Sequence, residues 1–149
     1  MAKDETKQQE KNGNFVQFYR NNMPAVSKLA GNNPTAFQLF MFICEHMDGY
    51  NALIASYQVF MDYTGKGRTT CSNAIKYLYD HGFVDILKSG TSNVYVINQD
   101  VAWTSYGNQK KYCKFNGKIL IAESENKDYF YRNHASRVKA LEERVGSAN

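Results

Sequence analysis

The chain has 149 residues, 43% hydrophobic and 14% aromatic, which is enough for one packed domain with a tail and excludes wholesale disorder. No apolar run approaches the roughly 18 residues of a membrane span, and the N-terminus is polar rather than signal-like, so a cytoplasmic protein without membrane partner is expected. The net charge of +4 is uneven: residues 1–14 and 123–149 each sum to zero, while Thr64 to Lys118 carries a local +5.

Residues 1–14 show no hydrophobic period and are predicted to be a disordered lead. Phe15 to Tyr19 reads as a short strand. Pro24 suits the first turn of a helix from Ala25 to Ala30, closed by Gly31. Asn33 then caps a second helix with Pro34 at its first position, and Phe37, Phe40, Met41, Cys44 and Met47 form its expected core stripe. Asp48-Gly49 ends it.

Ala52 to Ala55 fits a single buried strand. Ser56 caps a helix with Val59, Phe60 and Tyr63 inward, stopped by Thr64-Gly65. After the short loop Gly65-Lys66-Gly67, a helix runs from Arg68 to about Asp80 with Cys71, Ala74, Ile75 and Leu78 on one face. Gly82 stands where a left-handed cap is wanted. Phe83–Leu87 and Asn93–Ile97 are β-rich runs, joined by a polar hairpin loop from Lys88 to Ser92. Asp128 to Val145 is predicted to be a helix ended by Gly146. Its positions Tyr131, His134, Val138, Leu141 and Val145, at spacings of three, four, three and four, form a stripe that either docks on the domain or joins a homodimer.

Helix, strand, helix, tight turn, helix, hairpin is the order of a winged helix-turn-helix. The expected fold is therefore α+β: a disordered lead (1–14), a winged-helix domain (15–122) and a C-terminal helical extension (123–149). The three cysteines, Cys44, Cys71 and Cys113, are an odd number in apolar surroundings and read as free thiols in a reducing compartment.

The helix from Arg68 to Asp80 carries the chemistry. Opposite its apolar stripe stand Arg68, Thr69, Ser72, Asn73 and Lys76, with Lys66 just before it. Arg and Lys pair with guanine, Asn with adenine, and Ser or Thr with either, while the helix N-terminus offers N–H groups to phosphate. In the hairpin, Lys88, Thr91, Ser92 and Asn93 suit phosphate or minor-groove contacts, although a plain turn needs the same residue types. Lys110, Lys111, Lys114 and Lys118, interleaved with Tyr112 and Phe115, fit either backbone neutralisation or a strand edge protected by lysine. The basic excess, from Lys66, Arg68, Lys76, Lys88 and these four lysines, points to a polyanion or to an ordinary solvated face.

Other chemistries find no support. Gly65-Lys66-Gly67-Arg68-Thr69-Thr70 lacks the glycine spacing and Gly-Lys-Ser/Thr ending of a phosphate-binding loop. His46, His81 and His134 give no zinc spacing with the cysteines. The His-hydrophobe-His motif of rolling-circle nicking enzymes is missing despite 11 tyrosines. No cofactor is expected, and no enzymatic activity.

The run from Arg68 to Leu78 followed by Gly82-Phe83-Val84 is similar to winged-helix DNA-binding proteins generally. Val94-Tyr95-Val96-Ile97-Asn98, followed by Val101-Ala102-Trp103, resembles the small plasmid replication initiators of the RepL type over about residues 15–122. Gln99 stands where that family usually has proline. The resemblance implies a non-enzymatic protein that binds double-stranded DNA at origin repeats and recruits host replication proteins. A winged-helix transcriptional repressor needs the same reading helix without a host partner. A winged helix used purely for protein contact would not need the basic excess.

Overall fold

The computed structural model describes residues 15–104 and 122–131. The expected lead, Cys113, the lysines from Lys110 to Lys118, and the C-terminal helix beyond Tyr131 lie outside the described residues. No described helix is long and apolar enough to cross a membrane.

Strand β1 (Gln17–Phe18) is followed by a single 3-10 turn and helix α1 (Met23–Asn32), which runs through Gly31 instead of closing there. The real stop is Asn33, whose backbone is extended at φ −147°, ψ 84°. Proline excludes the helical region for the residue before it, so Pro34 breaks the helix one residue upstream. The side chain of Asn33 then accepts from the Ala36 N–H at 3.0 Å, capping helix α2 (Pro34–His46) as its sequence predicts. One asparagine ends one helix and starts the next.

Helix α2 buries Ala36, Leu39, Phe40, Ile43 and Cys44, with Met47 just past its end. The expected stripe is thus turned by about one position: Met41 faces out at 39% exposure and Phe37 is half-buried. Nearly every residue from Ala36 to Cys44 is apolar, so periodicity alone does not select the face. Helix α3 (Tyr57–Thr64) follows β2 (Ala52–Ile54). Of its three predicted inward residues only Phe60 is fully buried; Val59 and Tyr63 are 41% and 47% exposed. Ser56 holds the N-cap position without a side-chain cap bond.

Helix α4 (Arg68–Asp80) has its predicted bounds, and Cys71, Ala74, Ile75 and Leu78 are buried against the other helices. It ends on Gly82 at φ +83°, with the Phe83 N–H bonded to the Leu78 carbonyl and the Gly82 N–H to that of Tyr79. This pair of bonds is the Schellman closure that a glycine permits.

The sheet has order β2-β4-β3, with β3 (Val84–Ser89) and β4 (Ser92–Ile97) as an antiparallel hairpin. Ser89 pairs with Ser92, so the turn is only Gly90-Thr91 rather than the five-residue loop expected, with Gly90 at φ +62°. A two-residue turn with glycine first matches the right-handed strand twist. The alternation along β4 puts Tyr95 and Ile97 in the main helix-covered core and Val94 in a second cluster with Ala52 and Leu87. Val96 and Tyr129 pack on that second cluster, so both faces are partly covered.

Strand β5 (Ala102–Trp103) was not expected; two residues are too few for an alternating pattern. It pairs with β1 through Gln17↔Trp103 and Phe18↔Ala102, and the Thr104 hydroxyl donates to the Phe15 carbonyl at 3.3 Å. Buried asparagines tie the loops together. Asn98 donates to the Gly82 carbonyl at 2.9 Å and accepts from the Asp100 N–H at 2.9 Å. Asn51, the one described non-glycine residue with positive φ (63°), donates to the carbonyls of Ile97 and Ala102. Asn22 donates to the Asp100 carbonyl at 2.7 Å.

Candidate nucleic-acid interface

At 100° per residue, the buried stripe of α4 leaves Thr69, Asn73, Lys76 and Asp80 along the opposite ridge, with Arg68 and Ser72 on one flank. Thr69, Asn73, Lys76 and Arg68 are exposed and Ser72 is half-buried. The ridge is presented by the tight turn before it. Gly65 closes α3 at φ +71°, and Thr64 stitches the turn: its hydroxyl donates to the Phe60 carbonyl at 2.8 Å and accepts from the Lys66 N–H at 3.2 Å. Cys71 Sγ lies 3.4 Å from the same oxygen, joining α4 to the turn.

The expected reading face has no acid among its five named residues, but the structure adds one. Lys76 Nζ sits 2.7 Å from Asp80 Oδ2, one helical turn on, in an exposed ion pair. An exposed pair of this kind is worth about 0–1 kcal/mol, so it directs the lysine without locking it. The i, i+4 spacing of Lys76 and Asp80 is visible in the sequence.

Arg68 is directed by an aromatic ring that sequence reasoning missed. Its guanidinium carbon lies 5.1 Å from the centroid of the Tyr57 ring in α3. The Tyr57 ring packs on Phe60 at 6.2 Å, and Phe60 packs edge-on against buried Tyr95 of β4 at 5.2 Å. Burial pushes the Tyr95 phenol up to about 12, Asn93 opposing and Tyr57 reinforcing the shift. Asn93 donates to the Tyr95 hydroxyl at 3.3 Å and accepts from Lys88 Nζ. The hairpin candidates Lys88 and Asn93 are thus brought together and connected, ring by ring, to Arg68. Thr91 and Ser92 are exposed at the hairpin tip.

The far edge of the hairpin is occupied by the C-terminal segment. After a 3-10 turn at Glu123–Glu125 and before helix α5 (Lys127–Tyr131), Asn126 is buried against Lys88. Its side chain also donates to the Ala122 carbonyl at 2.9 Å. A single asparagine in a polar segment gives no sequence signal for such a role.

Cys44 and Cys71 are buried free thiols, and burial raises Cys44 to about 12. Among the described residues no group of three or more His, Cys, Asp or Glu is arranged to hold a metal ion. Lys110 and Lys111, named as DNA contacts, lie outside the described residues. In comparison with known proteins, the family model described as Firmicute plasmid replication protein (RepL) matches residues 2–138. No curated protein and no solved structure matches.

Proposed function

The chain belongs to the Firmicute plasmid replication protein (RepL) family, and from that premise we propose that it starts replication by binding duplex DNA at origin repeats through a winged helix. The exposed ridge of α4 carries this reading: Thr69, Asn73 and Lys76, flanked by Arg68 and Ser72, are hydrogen-bonding side chains set opposite a wholly apolar stripe. In helix-turn-helix proteins the residues at the start of the second helix enter the major groove. Thr69, Ser72 and Asn73 read base edges, Lys66 and Lys76 neutralise phosphates, and the β3–β4 hairpin lays Lys88 and the Thr91–Asn93 strip along the backbone. The protein acts by binding and has no catalytic step of its own; host replication proteins are its partners once the origin is occupied.

The test is a salt titration on a duplex selected by the protein from a random-sequence pool. With about four to six phosphates neutralised, log affinity falls against log salt with a slope of about −4 to −5. Affinity indifferent to salt removes the phosphate argument. Supplied in trans, the protein should maintain a plasmid carrying only its origin. Specific binding and promoter repression without replication would instead mark a repressor.

A further inference from the structure

We infer that Tyr57 is a positioning residue for Arg68: its ring holds the guanidinium at the mouth of α4 so that the planar N–H donors stay free for DNA. This rests on the DNA-binding reading of α4. Arg68 begins its helix and has a long flexible side chain, exposed to solvent. Left alone, such a side chain samples many rotamers, and ordering it on DNA costs entropy. The contact with Tyr57, 5.1 Å from guanidinium carbon to ring centroid, removes part of that freedom beforehand.

The placement of the guanidinium carbon over the ring matters. An arginine that lies over a ring uses its π face there and keeps its N–H groups in the perpendicular directions, where carboxylate, phosphate or guanine edges meet them. Tyr57 is itself held in place. It packs on Phe60 at 6.2 Å, Phe60 is fully buried, and Phe60 leans on fully buried Tyr95 at 5.2 Å. The platform is therefore set by the core, not by the solvent-facing side chain it orients. Lysine at position 68 would keep the charge and lose the planar fork.

The test is a double-variant comparison on the full chain, using the selected duplex and a random duplex of equal length. Arg68→Ala should weaken both and flatten the salt slope by about one unit. Tyr57→Leu should weaken binding about two- to fivefold, the equivalent of an exposed cation–π contact. Tyr57→Phe, which keeps the ring, should bind like the parent. The deciding result is non-additivity: in the Arg68→Ala background, Tyr57→Leu should cost nothing more. Equal cost in both backgrounds would mean that Tyr57 touches DNA itself or acts only through folding, and overturns the inference.

A solution measurement guards against a Tyr57→Leu variant that fails to fold. In the parent protein the Arg68 side-chain protons should show the upfield ring-current shift of a group stacked over an aromatic face, and an unshifted resonance overturns the inference. If the parent binds no duplex at all, the DNA reading fails; if it binds but the two substitutions are additive, only the role of Tyr57 fails.

Discussion

The side chain of Asn126 takes both backbone groups of Lys88, accepting from its N–H at 2.6 Å and donating to its carbonyl at 3.0 Å. Among the described residues, strand β3 lies at an edge of the three-stranded sheet, beside β4 alone. The amide of one side chain imitates a strand partner there.

Asn126→Ala should therefore destabilise the protein by about 1–3 kcal/mol, because two backbone groups of Lys88 and the Ala122 carbonyl lose their partner. The urea midpoint of unfolding measures it. A midpoint equal to the parent's would show that water replaces the amide without cost.

Asn73→Ala should narrow the gap between selected and random DNA by about 1–3 kcal/mol, the discrimination of one good base contact. Asn73 is exposed and lies outside the buried stripe of α4, so thermal stability should not change. Competition binding against random duplex reads the gap directly. Unchanged discrimination would take Asn73 out of the reading set.

Lys76 and Asp80 should give opposite results. Lys76→Ala lowers affinity for all sequences and flattens the salt slope by about one unit. Asp80→Asn releases the ammonium now held at 2.7 Å and removes an anion from the exposed ridge of α4, so on the proposed function it should raise affinity for selected and random DNA alike. Salt titrations of the two variants check the signs. An Asp80→Asn variant that binds more weakly would show that the pair itself places Lys76.

Alkaline pH should destabilise the fold. Burial lifts the Cys44 thiol from 9.0 to about 12 and the Tyr95 phenol from 10.0 to about 12. Both groups are then neutral in the fold at pH values where the unfolded chain ionises them. Their stability is fully present below about pH 9 and is lost as pH rises from there through 12. Unfolding midpoints across that range measure it, and native Cys44 should resist alkylation at mildly alkaline pH because the thiolate is the nucleophile.

Local signals made α4 legible to the residue. Gly67 and Gly82 bracket it, its apolar positions recur cleanly at three and four, and polar residues fill the rest. The buried face of α2 is not legible in this way because its composition is apolar nearly all round, and in α3, barely two turns long, Val59 and Tyr63 are exposed against expectation. The hairpin was expected, but not its tight turn, which is fixed by the Ser89–Ser92 pairing. For the candidate site, the exposed polar face of α4 is legible because its residues lie on one helix. Tyr57, Tyr95 and Asn126 were not, since each acts on a residue distant in the chain and nothing in local pattern records that distance.

The pairing of β1 with β5 fastens the segment before α1 to the segment after the hairpin, with Phe15 and Thr104 joined across 89 positions of sequence. During translation this closure waits until the ribosome has released Thr104, after all the helices and the hairpin that it encloses. A nascent chain broken off before Val101 would lose the backbone partner of Tyr19 and all of β5, leaving β1 unpaired. Loop closure over such a span is slow and comes late. Premature products would thus be left open at this end.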